Sequence, residues 1–224
     1  STYEVSLKRA PNVTAKESRQ LLDDNNLACI ATHRSWDALR GRTDDEIAFH
    51  HELRCDYVAI GGIPKQYGVE VADGYRRFVD DALPVIARLK AGGIRFGFHN
   101  HAHEFQRANP AQASTLFDIL IERGGPDFHL EVDVYWAWHA GVDPGELLRR
   151  CAGRVPVIHI KDKNVTEDGP GIAAIGEGNL PWARILADCQ AAGVDWLAVE
   201  QDTCPRDPFD CLRASWDYLN PLLP

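Results

Sequence analysis

A chain of 224 residues and 25.0 kDa, 45% of them hydrophobic, can bury one substantial core, which excludes an intrinsically disordered segment. Its formal charge of −9, from 33 acidic against 24 basic residues, comes without a dense Lys/Arg run and argues against a protein that grips nucleic-acid phosphates through a basic face. Six cysteines without a CxxC pair speak against both a disulfide scaffold and a thiolate zinc site, and no apolar stretch approaches the roughly 18 to 20 residues that cross a bilayer.

These features predict a cytoplasmic protein with reduced thiols, no nucleic-acid or membrane partner and a small polar or neutral ligand. No methionine occurs in the chain, which reads as a start that is processed or trimmed. A homo-oligomer is compatible with this composition.

Taken in chain order, short and nearly continuous apolar runs recur: YEVSL (3–7), LACIAT (27–32), YVAI (57–60), IRFGF (94–98), FHLEV (128–132), VPVIHI (155–160) and WLAVE (196–200). Runs of this length and character are those of parallel strands buried on both faces. Helical patterns lie between them. TAKESRQLLDDNN (14–26) begins with Thr14 and Glu17 at capping-box spacing, and GYRRFVDDALPVIARLKAGG (74–93) ends on paired glycines suited to a helix C-terminus. The stretch GPGIAAIGEGNLP (169–181) reads as a long loop over the active face. No linker composition marks a boundary, so the chain reads as a single domain over residues 1–224.

Strict alternation of strand and helix leaves two architectures, a (β/α) barrel or an open doubly wound sheet. His33, Gly61, His99, Asp133, His159 with Lys161, and Glu200 all stand at the C-terminal ends of their strands, where a barrel gathers side chains from every strand. No GxGxxG or GxxxxGK[ST] follows any strand, which removes the usual nucleotide-binding form of the open sheet. The expectation is a TIM-type α/β barrel. Seven strands are visible where a complete barrel has eight, so the barrel is incomplete at its N-terminal side.

Four strand ends carry the chemistry. HNHAHEF (99–105) offers His99, His101, His103 and Glu104; LEVDVYWAWH (130–139) offers Glu131, Asp133 and His139; IHIKDKN (158–164) offers His159, Lys161 and Asp162; AVEQD (198–202) offers Glu200 and Asp202. A divalent ion held by mixed carboxylate and imidazole ligands needs three or four such groups from separate rigid elements, with a position left open for substrate. Parity does not separate Glu131 from Asp133, but Asp133 lies nearer the strand end and is the better ligand. Parity likewise groups His99 with His101, while Glu104 lies beyond the strand. Singly, each histidine reads more readily as a hydrogen-bonded interior or loop residue and each carboxylate as a surface charge. Their joint placement at strand ends is what points to a metal. Trp136 and Trp138 read equally well as core packing and as walls for a sugar to stack on.

In this order and spacing, HNHAHEF, EVDVYW (131–136) with AGVDP (140–144), IHIKD (158–162), GEGNLPW (176–182) and VEQD (199–202) resemble the sugar phosphate isomerase/epimerase group of the xylose isomerase-like TIM barrels. The resemblance extends over nearly the whole chain and implies a strand and helix ahead of YEVSL. It implies a divalent ion, most commonly manganese, with zinc, cobalt, iron or magnesium as alternatives. Carried over by motif, its ligands are Glu104, Asp133, His159 and Glu200. The first position stays open between Glu104, His99 and His101.

The chemistry so implied is proton abstraction next to a carbonyl of a sugar or keto-sugar. Glu104 and Glu200 are the candidate catalytic pair; His33, His99, His101, Trp136, His139 and Lys161 are the candidate substrate contacts. Rival readings keep the same site and run elimination, hydration or hydrolysis on a keto-sugar or keto-inositol. Others treat the chain as a DNA-repair nuclease, which the charge disfavours, or as a non-catalytic binding protein on a truncated barrel.

Overall fold

The computed structural model describes residues 2–6, 13–111 and 113–223. The chain divides into two compact units, Ser1–Glu131 and Val132–Pro224. All seven predicted strands are present and parallel. In the first unit β1 (Thr2–Ser6), β2 (Ala28–His33), β3 (Tyr57–Ile60), β4 (Arg95–His99) and the opening residues of β5 (Phe128–Asp133) pair in the order β1-β2-β3-β4-β5. In the second unit Val132 and Asp133 of β5 pair with Ile158 and His159 of β6 (Val157–Ile160), and β6 pairs with β9 (Trp196–Val199).

Local sequence accounts for the elements of the first unit. Helix α1 (Ala15–Asp24) starts at the predicted capping box: the Glu17 N–H donates to Thr14 Oγ1 at 3.2 Å and the Thr14 N–H to Glu17 Oε2 at 2.8 Å. Its Leu22 enters a small cluster with Cys29, Leu53 and Cys55. Between β2 and β3 lie α2 (Trp36–Gly41) and α3 (Thr43–Leu53). Helix α4 (Ala72–Ala91) buries Phe78, Val79, Ala82, Val85, Ile86 and Leu89, and terminates at the predicted glycine pair, where Gly93 takes φ 77°. Phe78 packs edge-on against Phe128, which stacks on Phe98 across the sheet. Gly97 of β4 has a steric reason: a Cβ there would collide with the Tyr57 hydroxyl on β3. Helix α5 (Leu116–Gly124) repeats the capping box with Thr115 and Asp118.

In the second unit α6 (Val134–His139) and α7 (Pro144–Arg150) follow β5. Strand β6 begins two residues later than its apolar run, because Pro156 has no N–H for the ladder. Its carbonyl instead accepts the N–H groups of Asp195 and Trp196 at 2.9 and 3.0 Å. The stretch 169–181 is not one loop: Asp162–Thr166 is β7 and Gly169–Ala173 is β8, an antiparallel hairpin. Glycine and proline in GPGIA conceal that strand, since both are depleted from sheets. Helices α8 (Trp182–Ala192) and α9 (Pro208–Leu219) flank β9 in the chain. None of the six cysteines is in a disulfide, and five are buried.

Only 174–181 remains loop, and a single carboxylate organises it. Asp162, 0% exposed, accepts the N–H groups of Gly176 at 2.9 Å, Gly178 at 3.1 Å and Leu180 at 3.2 Å, the Trp182 indole N–H at 2.7 Å and its neighbour Lys163 at 2.8 Å. The loop passes so close to this carboxylate that a Cβ on Gly178 would strike it. Asparagine at this position presents its own N–H₂ to those donors, at about 1–3 kcal/mol for each one left unsatisfied. Asp162→Asn is therefore expected to destabilise the protein by about 3 kcal/mol or more, read as a lower urea midpoint at unchanged m-value.

Candidate functional site

In the second unit the sequence brings charge together at the ends of β5, β6 and β9. Asp133 closes β5 and also N-caps α6: its Oδ1 accepts the Trp136 N–H at 3.1 Å, which fixes the carboxylate and leaves Oδ2 toward Lys161 Nζ at 3.0 Å. Lys161 follows the last residue of β6 and is 2% exposed. Its ammonium lies 2.7 Å from Glu200 Oε2 and 2.9 Å from Asp202 Oδ2, and 5.6 Å above the Trp136 ring. His159, two residues earlier and so on the same strand face, meets the same Glu200 Oε2 through Nδ1 at 2.7 Å. His139 is exposed at the end of α6, with its ring 5.5 Å from that of Trp136.

The electrostatics follow from burial and neighbours. Burial pushes the Asp133 carboxyl up to about 6, against the pull of Lys161 and His159. Burial also works to raise Glu200, but its hydrogen bond to His159 and the charges of His159 and Lys161 overrule this and hold the carboxyl well below the usual range. Burial disfavours the Lys161 ammonium, yet Asp133 and Glu200 hold it above the ordinary lysine value. Three carboxylates against one ammonium leave the cluster with excess negative charge.

Asp133, His159 and Glu200 can each offer one ligand atom, all within 4.8 Å of one another, so this group could hold a metal ion. One imidazole and two carboxylates form a mixed N/O donor set suited to a divalent first-row ion. Asp162 of the same motif is no ligand candidate; its carboxylate is consumed by the loop.

The first unit holds the remaining predicted residues in two groups. His33 Nε2 lies 2.5 Å from Glu131 Oε2, and His99 Nδ1 lies 3.5 Å from the same oxygen, with the two imidazole rings 5.3 Å apart. Glu104, fully buried in the short 3₁₀ turn His103–Phe105, accepts the His101 N–H at 2.8 Å through Oε2 and faces His103 Nε2 at 3.0 Å through Oε1. That Glu104 contact raises the His103 pKa. Each group has the residue types and spacing of a metal-binding set.

The structure thus joins Asp133, His159, Glu200 and Lys161, with Trp136 and His139 adjoining. It places His33 with His99, and Glu104 with His101. Two participants fall outside the predicted set. Glu131 is the partner of both His33 and His99, and Asp202 is the third carboxylate on Lys161. Parity is the signal for both, since each stands two residues from a chosen ligand. His50, conversely, is a buried histidine with a structural role, bridging Thr32 Oγ1 and the Glu46 carbonyl, each at 2.6 Å.

A family model described as xylose isomerase-like TIM barrel matches residues 6–219. No curated protein matches the chain. Among solved structures, a sugar phosphate isomerase/epimerase from Parabacteroides distasonis superposes with a TM-score of 0.84 at 24% identity, covering 100% of this chain and 89% of that one. A D-tagatose 3-epimerase-like protein gives 0.70 at 17% identity, covering 99% and 89%. A probable 3-DHS dehydratase from Bacillus anthracis gives 0.72 at 12% identity, covering 98% and 88%. These likenesses show the fold class, an α/β barrel of TIM type. No helix among the described residues is long and apolar enough to cross a membrane.

The raised Asp133 carboxyl has a definite sign in the metal-free protein. Its folded pKa of about 6 stands above the ordinary carboxyl value of 3.8, so the folded state holds the proton more tightly and stability falls as pH rises through that window. With chelator present, the melting temperature of Asp133→Asn minus that of wild type is expected to increase between pH 4 and pH 6 and to level off above. A difference independent of pH overturns the burial argument.

Proposed function

The chain belongs to the xylose isomerase-like TIM barrel family, and from that premise we propose that it is a divalent-metal-dependent isomerase or epimerase of a sugar or keto-sugar. The observation that carries the reading is the convergence of ligand atoms from Asp133, His159 and Glu200, delivered by the ends of β5, β6 and β9. The similar structures described as a sugar phosphate isomerase/epimerase and as a D-tagatose 3-epimerase-like protein support the substrate class. Manganese is the ion expected, with zinc, cobalt, iron and magnesium as competitors for the same donors.

An ion held there supplies Lewis-acid polarisation of a carbonyl oxygen, which lowers the barrier to removing the neighbouring proton. The rest falls to the chain's own side chains. Glu200, which His159 and Lys161 hold as a carboxylate in the metal-free protein, is the proton acceptor, and its partial exposure gives substrate access. Lys161 places a positive charge beside the reacting oxygens, where negative charge develops. The Trp136 indole offers a face for the apolar side of a sugar ring, with His139 at its edge. Asp133 is fixed by the α6 N-terminus, so the geometry of the set does not depend on a flexible loop.

Two measurements test this reading. Asp133→Ala and His159→Ala are each expected to weaken Mn²⁺ retention by about tenfold or more while leaving the far-UV circular dichroism unchanged. Full metal occupancy in both variants misplaces the site. Incubated with ketoses and 3-keto-sugars in D₂O, the Mn²⁺-loaded protein is expected to exchange a carbon-bound proton next to the carbonyl, and Glu200→Gln to lose about 10²-fold or more of that rate. An unsaturated product points to elimination instead, and no exchange with any carbonyl sugar refutes the proposal.

A further inference from the structure

Lys161 is more than one charge among others, because its ammonium sits on the same oxygens that a metal ion would use. Nζ lies 3.0 Å from Asp133 Oδ2 and 2.7 Å from Glu200 Oε2, and Lys161 is 2% exposed. Glu200 Oε2 already accepts from His159 Nδ1 at 2.7 Å, so this one oxygen is shared between a ligand imidazole and the ammonium. An ion bound at about 2.1 Å from Oε2 would stand within a few ångströms of Nζ, and two cations at that separation in a buried site repel strongly.

The third carboxylate resolves the conflict. Asp202 Oδ2 accepts from Nζ at 2.9 Å but does not belong to the trio of ligand atoms. It is a place where the ammonium can stay when the ligand oxygens are taken.

We propose that Lys161 is the resident cation of the site and that a divalent ion binds Asp133, His159 and Glu200 by displacing the Lys161 ammonium from Asp133 and Glu200 onto Asp202. The inference rests on the proposed metal trio, and it adds that occupancy is a competition between two cations set by the protein itself. Metal-free, the lysine keeps the ligand carboxylates compensated and in place, since buried charges left without a partner are costly. Metal-loaded, it stays on Asp202.

Calorimetric titration of MnCl₂ into chelator-treated wild type and Lys161→Met separates the possibilities. The variant is expected to bind Mn²⁺ about tenfold tighter or more, because a competitor is gone, and to melt at a lower temperature than wild type when metal-free. Equal or weaker affinity in the variant overturns the exchange while leaving the metal trio standing. Absence of binding to both proteins removes the trio itself, and the exchange with it. A crystal structure of the Mn²⁺-loaded wild type decides the same question independently of how the variant folds. Nζ is expected beyond hydrogen-bonding distance of Asp133 Oδ2 and Glu200 Oε2 and still on Asp202. Nζ remaining on both ligand oxygens with the ion bound overturns the proposal.

Discussion

The second unit is organised around one buried ammonium that must be compensated. Lys161 is almost inaccessible to water, and a lysine in that position is stable as a cation only among carboxylates with good geometry. Asp133, Glu200 and Asp202 supply them from two different strand ends. Strand register makes this possible: β5 pairs Asp133 with His159, and β6 pairs His159 with Ala198, two residues before Glu200. Hydrogen-bonded backbone therefore fixes the distance between His159 and Glu200, which the chain separates by 41 residues. The site is a product of pairing, and its side chains hold one another without a loop having to close over them.

The same logic answers why HNHAHEF crowds three histidines and a glutamate behind a strand. A buried carboxylate is costly alone, and so is a buried imidazole with an unmet polar atom. Placed together they compensate. Glu131 lies between the rings of His33 and His99, and Glu104 is satisfied by the His101 backbone N–H and the His103 ring. Every one of these pairs is also a potential ligand group, because the arrangement that satisfies a carboxylate with imidazoles is the arrangement that binds a cation. Structural compensation and metal affinity are not alternatives here; the first prepares the second.

Much of this was legible in residue order, and what was not has identifiable causes. Parallel strands buried on both faces show as unbroken apolar runs, so YVAI coincides with β3, β1, β2 and β4 lie within one residue of theirs, and the start of β6 is displaced by two, with the missing N–H of Pro156. The capping box at Thr14 is a local motif and needs no tertiary context. The hairpin was hidden because its second strand, GPGIA, is built from residues that ordinarily end strands. Asp162 looks like a ligand in IHIKD, since sequence gives its spacing but not the N–H groups that a loop fourteen to twenty residues later folds onto it. His50 shows the converse: a histidine on a helix face carries no mark that distinguishes a bridge between Thr32 and Glu46 from a ligand. Glu131 and Asp202 were visible as acids, but their partners come from other strands.

Adjacent residues at the end of β6 carry opposite duties, and this constrains the fold more tightly than hydrophobic pattern alone. Side chains alternate along a strand, so Lys161 points to the carboxylate cluster while Asp162 points to the donors of the 174–181 loop. A slip of one residue would bring the Asp162 carboxylate in among Asp133 and Glu200, three negative charges without the ammonium. It would also present Lys163, in the place of Asp162, to a nest of N–H donors that offers a cation nothing. Both ends of that exchange are electrostatically prohibitive, whereas putting Ile158 in the place of Val157 exchanges one apolar side chain for another and costs far less. Register at this strand is therefore specified by charge. The pair that anchors the GEGNLPW loop is also the pair that aims the lysine, so the loop and the candidate site are set by a single alternation of the chain.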